Sequence, residues 1–148
     1  MGNVGMGALS ILTENADQIA LKLGFPLNVR AVCSRGIARK RLPASLGSAL
    51  KTANWREVVD HPEVDIVVEL IGGVGVAREI IEAAIVRGKS VVTANKELMA
   101  HCGADIWDRA IAARINLAME ASVAGGIPIH AVLREGISAT ASKLFTEF

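Results

Sequence analysis

Apolar positions change their period along this chain, and each change marks an element. Over residues 6–23 they fall at Leu9, Leu12, Ala16, Ile19, Ala20 and Leu23, a helical stripe that Gly24 and Pro26 end. Residues 27–34, with Val29, Val32 and Cys33, read as a short strand. Residues 35–54 are basic and then rich in small side chains, so a loop with little regular structure is expected; 55–60 predict one or two helical turns. Residues 64–71, VDIVVELI, are β-branched and nearly uninterrupted, the pattern of a strand covered on both faces, and Gly72, Gly73 and Gly75 break it. A helix over 77–87 sets Ile80, Ile81, Ala84 and Ile85 on one side and stops at Gly88. A strand over 90–94, a helix over 97–114 and a last strand over 115–121 follow, ending in the loop SVAGGIP.

Strands alternating with helices predict an α/β fold with a parallel sheet, because parallel neighbours need crossover helices. In such sheets ligands bind outside the carboxyl ends of the strands. That rule selects four segments: the opening MGNVGMG, CSRG, LIGG together with TANK, and EASVAGG.

In MGNVGMG, Gly2, Gly5 and Gly7 stand immediately before the first helix, with Asn3 and Val4 between them. This is the second part of a dinucleotide-binding fingerprint, in which bare backbone approaches a pyrophosphate at a helix N-terminus. A tight loop with close helix packing is the plainer reading of the same residues. The fingerprint also expects an earlier glycine and a hydrophobic strand ahead of it, and neither stands before Gly2. The expected architecture is therefore a Rossmann-like doubly wound parallel sheet with its first strand missing. That strand is central in the order 3-2-1-4-5-6, so its absence leaves both neighbours with an unpaired edge and predicts a poorly stable, truncated chain.

Composition narrows the partners. Of 148 residues 51% are hydrophobic and 21% charged, which excludes a disordered chain and leaves room for one domain. The formal charge of +1 gives no field to attract a polyanion, and with aromatics at 3% no stacking platform is expected, so nucleic acid is excluded as a partner. No apolar run reaches the roughly 20 residues of a membrane helix, and no secretion signal opens the chain. Two cysteines fit a reducing compartment, and the expected location is cytoplasmic.

Arg35 stands 30 residues after Gly5, where an NAD-specific fold carries an acid for the ribose 2′-hydroxyl. An arginine pairs instead with a 2′-phosphate, which favours NADP over NAD; the alternative is a solvated basic loop shared with Arg39, Lys40 and Arg41. Gly72 and Gly73 let backbone approach the nicotinamide ribose, or form a plain turn. Thr93 ends the following strand and is counted with the coenzyme-binding residues. Lys96 follows it; a lysine beside a carbonyl that accepts hydride stabilises the developing alkoxide, whereas an ordinary exposed lysine sits poorly at a helix start. Glu69 is an acid inside a buried strand, costly without partners, and no role is assigned to it. EASVAGGI offers carbonyls that a hard cation favours, or serves only as a connection. His61, His101 and His130 are scattered and are read as surface or packing residues, and Cys33 as a small core side chain.

GNVGMG, VVELIGG, VVTANKELM and MEASVAGGIPI, in this order and spacing, resemble homoserine dehydrogenase in its N-terminal coenzyme-binding part, from Gly2 to about Gly136. The resemblance implies an NAD(P)-dependent interconversion of L-aspartate 4-semialdehyde and L-homoserine, in the biosynthesis of threonine, methionine and isoleucine. It makes Lys96 the active-site lysine of this half, and with the residues read above the candidate coenzyme site is Gly2, Asn3, Val4, Gly5, Arg35, Gly72, Gly73, Thr93 and Lys96. It also implies a sodium ion held by Glu120, Val123, Gly125 and Ile127, mainly through carbonyls, and a homo-oligomer when full length. Residues 137–148, SATASKLFTEF after Ile137, resemble nothing in the family and stand where its substrate domain begins, so residues 1–136 are read as an incomplete dinucleotide-binding domain followed by an atypical tail. The family's substrate-binding acids and second lysine would lie past Phe148, and the chain alone is expected to be inactive. Two other readings remain: another dehydrogenase of this fold, such as a semialdehyde dehydrogenase, or a non-catalytic dinucleotide-binding module. VVTANKEL argues against sugar dehydrogenases, whose lysine motif differs.

Overall fold

A computed structural model describes residues 2–122, so the expected boundary at 136 and the tail after it lie outside the described residues. The first helical stripe folds as two helices, α1 (Asn3–Glu14) and α2 (Ala16–Leu23), where one helix over 6–23 was expected. The helix starts earlier because the residues between Gly2 and Met6 take part in its first turn, with the Met6 N–H on the Gly2 carbonyl at 3.0 Å. It breaks at Asn15 because polar side chains compete for the backbone there: Thr13 donates to the carbonyls of Leu9 and Ser10, and Asn15 Nδ2 to that of Ile11. α2 buries no residue and closes on Gly24, whose left-handed φ of 81° lets its N–H reach the Ala20 carbonyl.

Strand β1 (Ala31–Cys33) pairs in parallel with β2 (Leu50–Thr52), Ala31 opposite Leu50 and Cys33 opposite Thr52. β2 lies in the stretch expected to be irregular, which also holds 3₁₀ turns at Ile37–Arg39 and Ala44–Leu46. Its sequence, LKT, carries almost no strand signal; pairing with β1 is what makes it a strand. Leu9 of α1, Val32 of β1, Leu46 and Ala49 form a small core between these elements. Asn54 then caps α3 (Trp55–Val59) by accepting the Arg56 N–H.

The second sheet is wholly parallel, in the order β3 (Ile66–Glu69), β4 (Ser90–Thr93), β5 (Leu117–Ala118). The crossovers are α4 (Gly75–Val86) and α5 (Lys96–Ala112). Apolar residues of α4 at Ala77, Ile80, Ile81, Ala84 and Ile85 meet Val67, Val91, Leu98, Ile106 and Leu117 in the main core, which α3 joins through Val59. Lys89 ties the loop before β3 to this unit by donating to the carbonyls of His61 and Val64. Across the outside of α4 and α5, Arg78 and Arg109 alternate with Glu82 and Asp105 in a chain of ion pairs.

β3 corrects one expectation. Val67 and Glu69 are buried, but Ile66 and Val68 are 49% and 50% exposed, so the strand is covered on one face rather than two. α4 supplies the covered face, and among the described residues the β3 edge away from β4 and the outer edge of β1 pair with no strand. Both sheets, β1-β2 and β3-β4-β5, are wholly parallel, as the alternation of strands and helices predicts.

Candidate functional site

Glu69 and Thr93 are opposite one another at the carboxyl ends of β3 and β4, and the chain turns away from the sheet after each. Both are buried, Glu69 at 2% exposure and Thr93 at 0%. Glu69 Oε1 accepts the N–H groups of Ile71 at 2.7 Å and Gly72 at 3.4 Å, while its Oε2 accepts the Thr93 hydroxyl at 2.7 Å. The same hydroxyl oxygen accepts the Asn95 N–H at 3.1 Å. Asn95 then works in two directions: its Nδ2 donates to the Gly73 carbonyl at 2.7 Å, and its Oδ1 accepts the Leu98 N–H at 3.1 Å as the N-cap of α5. Ser122 closes the set from the far side, donating its hydroxyl to the Thr93 carbonyl at 2.8 Å. One polar network thus locks the IleGlyGly corner, the end of β4, the start of α5 and residue 122 together.

That network leaves two kinds of group facing outward. Gly72 and Gly73 have φ of 75° and 71°, a left-handed pair that other residues adopt at a cost, and a Cβ on either would meet nothing within 4 Å among the described residues. The glycines are therefore required by backbone conformation, and among the described residues the space above them is open. Lys96, the first residue of α5, is exposed, and among the described residues its ammonium enters no hydrogen bond or ion pair. Thr93, by contrast, spends its hydroxyl inside, on Glu69 and Asn95.

The remaining predicted residues belong to the other sheet. Gly2 precedes α1 in extended backbone, and among the described residues no side chain caps the helix. The first-turn N–H groups of Asn3, Val4 and Gly5 have no acceptor within the helix, an arrangement that favours an anion. Gly5 is buried, and Gly2, Asn3 and Val4 are exposed. Arg35 follows β1 at its carboxyl end and is exposed, without an ion pair among the described residues. No hydrogen bond or ion pair of the described residues joins this group to the Gly73–Lys96 corner. Glu120 opens the 3₁₀ turn Glu120–Ser122 and is half-buried; Val123, Gly125 and Ile127 lie outside the described residues.

Sequence reasoning singled out the glycines and Lys96 but missed what holds them. Asn95 carried a usable signal, an asparagine at the start of a helical pattern, and Glu69 carried another, a charge inside a β-branched run. Nothing in the sequence marked Ser122. His61 serves its own turn by accepting the Glu63 N–H on Nδ1. Cys33 is half-buried in β1, and burial pushes its thiol above the usual pKa. Among the described residues no helix is long and apolar enough to cross a membrane.

The family model for the NAD-binding domain of homoserine dehydrogenase matches residues 1–120. The homoserine dehydrogenase of Neisseria gonorrhoeae is 42% identical over 145 residues, covering 97% of this chain and 32% of that protein. That of Pseudomonas aeruginosa is 42% identical over 139 residues, covering 94% and 31%. The crystal structure of a homoserine dehydrogenase from Thiobacillus denitrificans superposes with a TM-score of 0.82 at 45% identity, over 94% of this chain and 32% of that one. The chain thus spans about a third of the length of the relatives it matches. The chain belongs to the family of homoserine dehydrogenase NAD-binding domains.

Proposed function

We propose that this chain holds the coenzyme, NADP in preference to NAD, for an oxidoreductase that interconverts L-aspartate 4-semialdehyde and L-homoserine. The uncapped N–H groups of Asn3, Val4 and Gly5 fit a pyrophosphate, which needs donors and no side chain in its way. Arg35, exposed and unpaired among the described residues, fits a 2′-phosphate through paired, charge-assisted hydrogen bonds. Gly72 and Gly73 present open backbone to the nicotinamide ribose, and Thr93 contributes from beneath by holding that corner in place. When bound, the nicotinamide supplies hydride chemistry. Lys96 faces the reacting carbonyl oxygen, and its ammonium stabilises the negative charge that develops there by hydrogen bonding to it. The 2.7 Å bond from Asn95 to the Gly73 carbonyl carries the reading, because it sets the residue before Lys96 against the glycine corner.

A sodium ion at Glu120, Val123, Gly125 and Ile127 belongs to the same reading; its support is the resemblance of EASVAGGI to the family's cation turn. Cytoplasmic work is supported by two free cysteines.

Titration of the chain with NADPH and with NADH, followed by coenzyme fluorescence, tests the proposal. Saturable one-to-one binding that is tighter for NADPH is expected, with Arg35→Asp removing the preference. Absence of binding to either coenzyme refutes the reading, and an unchanged preference in Arg35→Asp refutes the role of that arginine. In a full-length dehydrogenase carrying this segment, Lys96→Ala should lower kcat/KM by about a hundredfold. A loss within about threefold, less than one kcal/mol of barrier, refutes the lysine's role.

A further inference from the structure

We propose that Glu69 is a positioning residue, whose buried carboxylate sets the Gly72–Gly73 corner and the Lys96 end of α5 in one fixed arrangement. The inference rests on the coenzyme reading for its purpose, and on the hydrogen bonds alone for its physical content.

Three donors converge on this side chain: the N–H groups of Ile71 and Gly72 and the hydroxyl of Thr93. A carboxylate offers acceptors only, so it satisfies all three; a carboxamide of the same shape brings a donor of its own. In Glu69→Gln the amide nitrogen must face either the Ile71 and Gly72 N–H groups or the Thr93 hydroxyl. The first choice sets donor against donor. The second turns the Thr93 hydroxyl around and leaves its hydrogen without the acceptor it had. Burial makes either outcome costly, since water cannot stand in for the missing partner. The consequence spreads in both directions along the network. On one side lie two glycines whose left-handed backbone has no side chain to hold it and depends on the Glu69 tether. On the other, Thr93 passes the constraint to the Asn95 N–H, and Asn95 orients both the Gly73 carbonyl and the first turn of α5, which begins with Lys96. An acid on the covered face of an otherwise aliphatic strand is thereby explained: it aligns two loops whose own sequences, IGG and TAN, are too small and too short to align themselves.

Coenzyme titration and amide hydrogen exchange on the 148-residue chain provide the test. Glu69→Gln should weaken NADPH binding about tenfold or more, and should speed exchange at the Ile71 and Asn95 amides together. Thr93 gives a second pair of variants that separates positioning from packing. Thr93→Val keeps the volume and loses the hydroxyl, and is expected to behave as Glu69→Gln does. Thr93→Ser keeps the hydroxyl and loses a methyl, and is expected to restore affinity to within about threefold of the original chain. A structural role for a buried β-branched side chain predicts the reverse order, and that result overturns the proposal. Unchanged affinity in both Glu69→Gln and Thr93→Val also overturns it. Should the original chain bind no coenzyme, the functional reading fails, and exchange alone decides the inference: joint acceleration at Ile71 and Asn95 upholds the tether, and unchanged exchange removes it.

Discussion

The two sheets are built from the same kind of unit and held with very different strength. Around β3-β4-β5, thirteen buried residues of the described chain form one cluster, and five of them come from α4 alone. Around β1-β2 the corresponding cluster has four, Leu9, Val32, Leu46 and Ala49. Nearby, Leu21 is 86% exposed, α2 buries nothing, and Phe25 and Leu27 also face solvent. Hydrophobic stabilisation scales with apolar area removed from water, so the first unit has the means to hold a buried polar network at its rim and the second does not. The difference explains the division of the candidate site. Lys96 and the glycine corner are fixed by a locked network, whereas Gly2–Gly5 and Arg35 are an uncapped helix end and an exposed side chain.

The sharpest way to break this comparison is to cut the same side chain in each cluster. Leu98, fully buried in α5, should cost about 3–5 kcal/mol when replaced by alanine, because its surroundings are packed on every side and cannot collapse into the cavity. Leu9→Ala should cost about 2–3 kcal/mol, nearer the lower end of such substitutions, since the few neighbours of Leu9 can relax. Denaturant unfolding of both variants measures the two values. Equal losses would mean that the two units are equally well packed, contrary to the clusters described here.

The same contrast governs what could be read from sequence. α4, β3, β4 and α5 were legible within two residues or so at each end, because long runs of apolar residues with one clear period leave few alternatives. Around β1 and β2 the reading failed repeatedly. The helical stripe runs unbroken through Asn15 in the sequence, and the segment of β2 carries a loop pattern, because a local hydrogen-bond competition decides the first and a distant pairing decides the second. The sequence of β3 predicts burial at positions that the structure exposes for a related reason: a run of Ile and Val states what a strand is able to bury, while the neighbouring elements determine what it does bury. For the candidate site, residue types were legible and connections were not. Thr93 lies 24 residues from Glu69 along the chain and Asn95 22 from Gly73, and only the parallel register of β3 and β4 brings each pair together.

A smaller effect sharpens the comparison at the seam of the stronger unit. Arg78 donates to Glu82 and Asp105, and the hydrogen bond to Glu82 raises its already high pKa. All four side chains of this chain of ion pairs are part-exposed, so solvent screens them, and tight packing beneath should make them nearly dispensable. Arg78→Ala is expected to lower stability far less than Leu98→Ala does, an effect that shrinks further in about 1 M salt. Thermal unfolding at two salt concentrations measures it. A loss comparable to that of Leu98→Ala would show that the helices are held from outside, and that the core is not the main difference between the two units.

The smallest effect tests whether the weaker unit is closed at all. Cys33 lies in β1, and burial holds its thiol above the ordinary pKa of about 8.5. Below that ordinary value the folded and unfolded chains both keep the proton, and stability does not depend on this group. As pH rises past it, the unfolded chain releases the proton first while the folded chain retains it, so unfolding becomes easier and the contribution is lost toward the folded pKa. The original chain should therefore lose more stability between about pH 7.5 and 9.5 than Cys33→Ala does, as read from denaturant midpoints at the two values. Alkylation of native Cys33 should also lag that of a free thiol in the same interval, since the thiolate is the nucleophile. Both effects require water to be kept from β1. A Cys33→Ala variant with the same pH dependence as the original chain would place that strand in an open, hydrated arrangement, and would leave the β3-β4-β5 unit as the part that carries the fold.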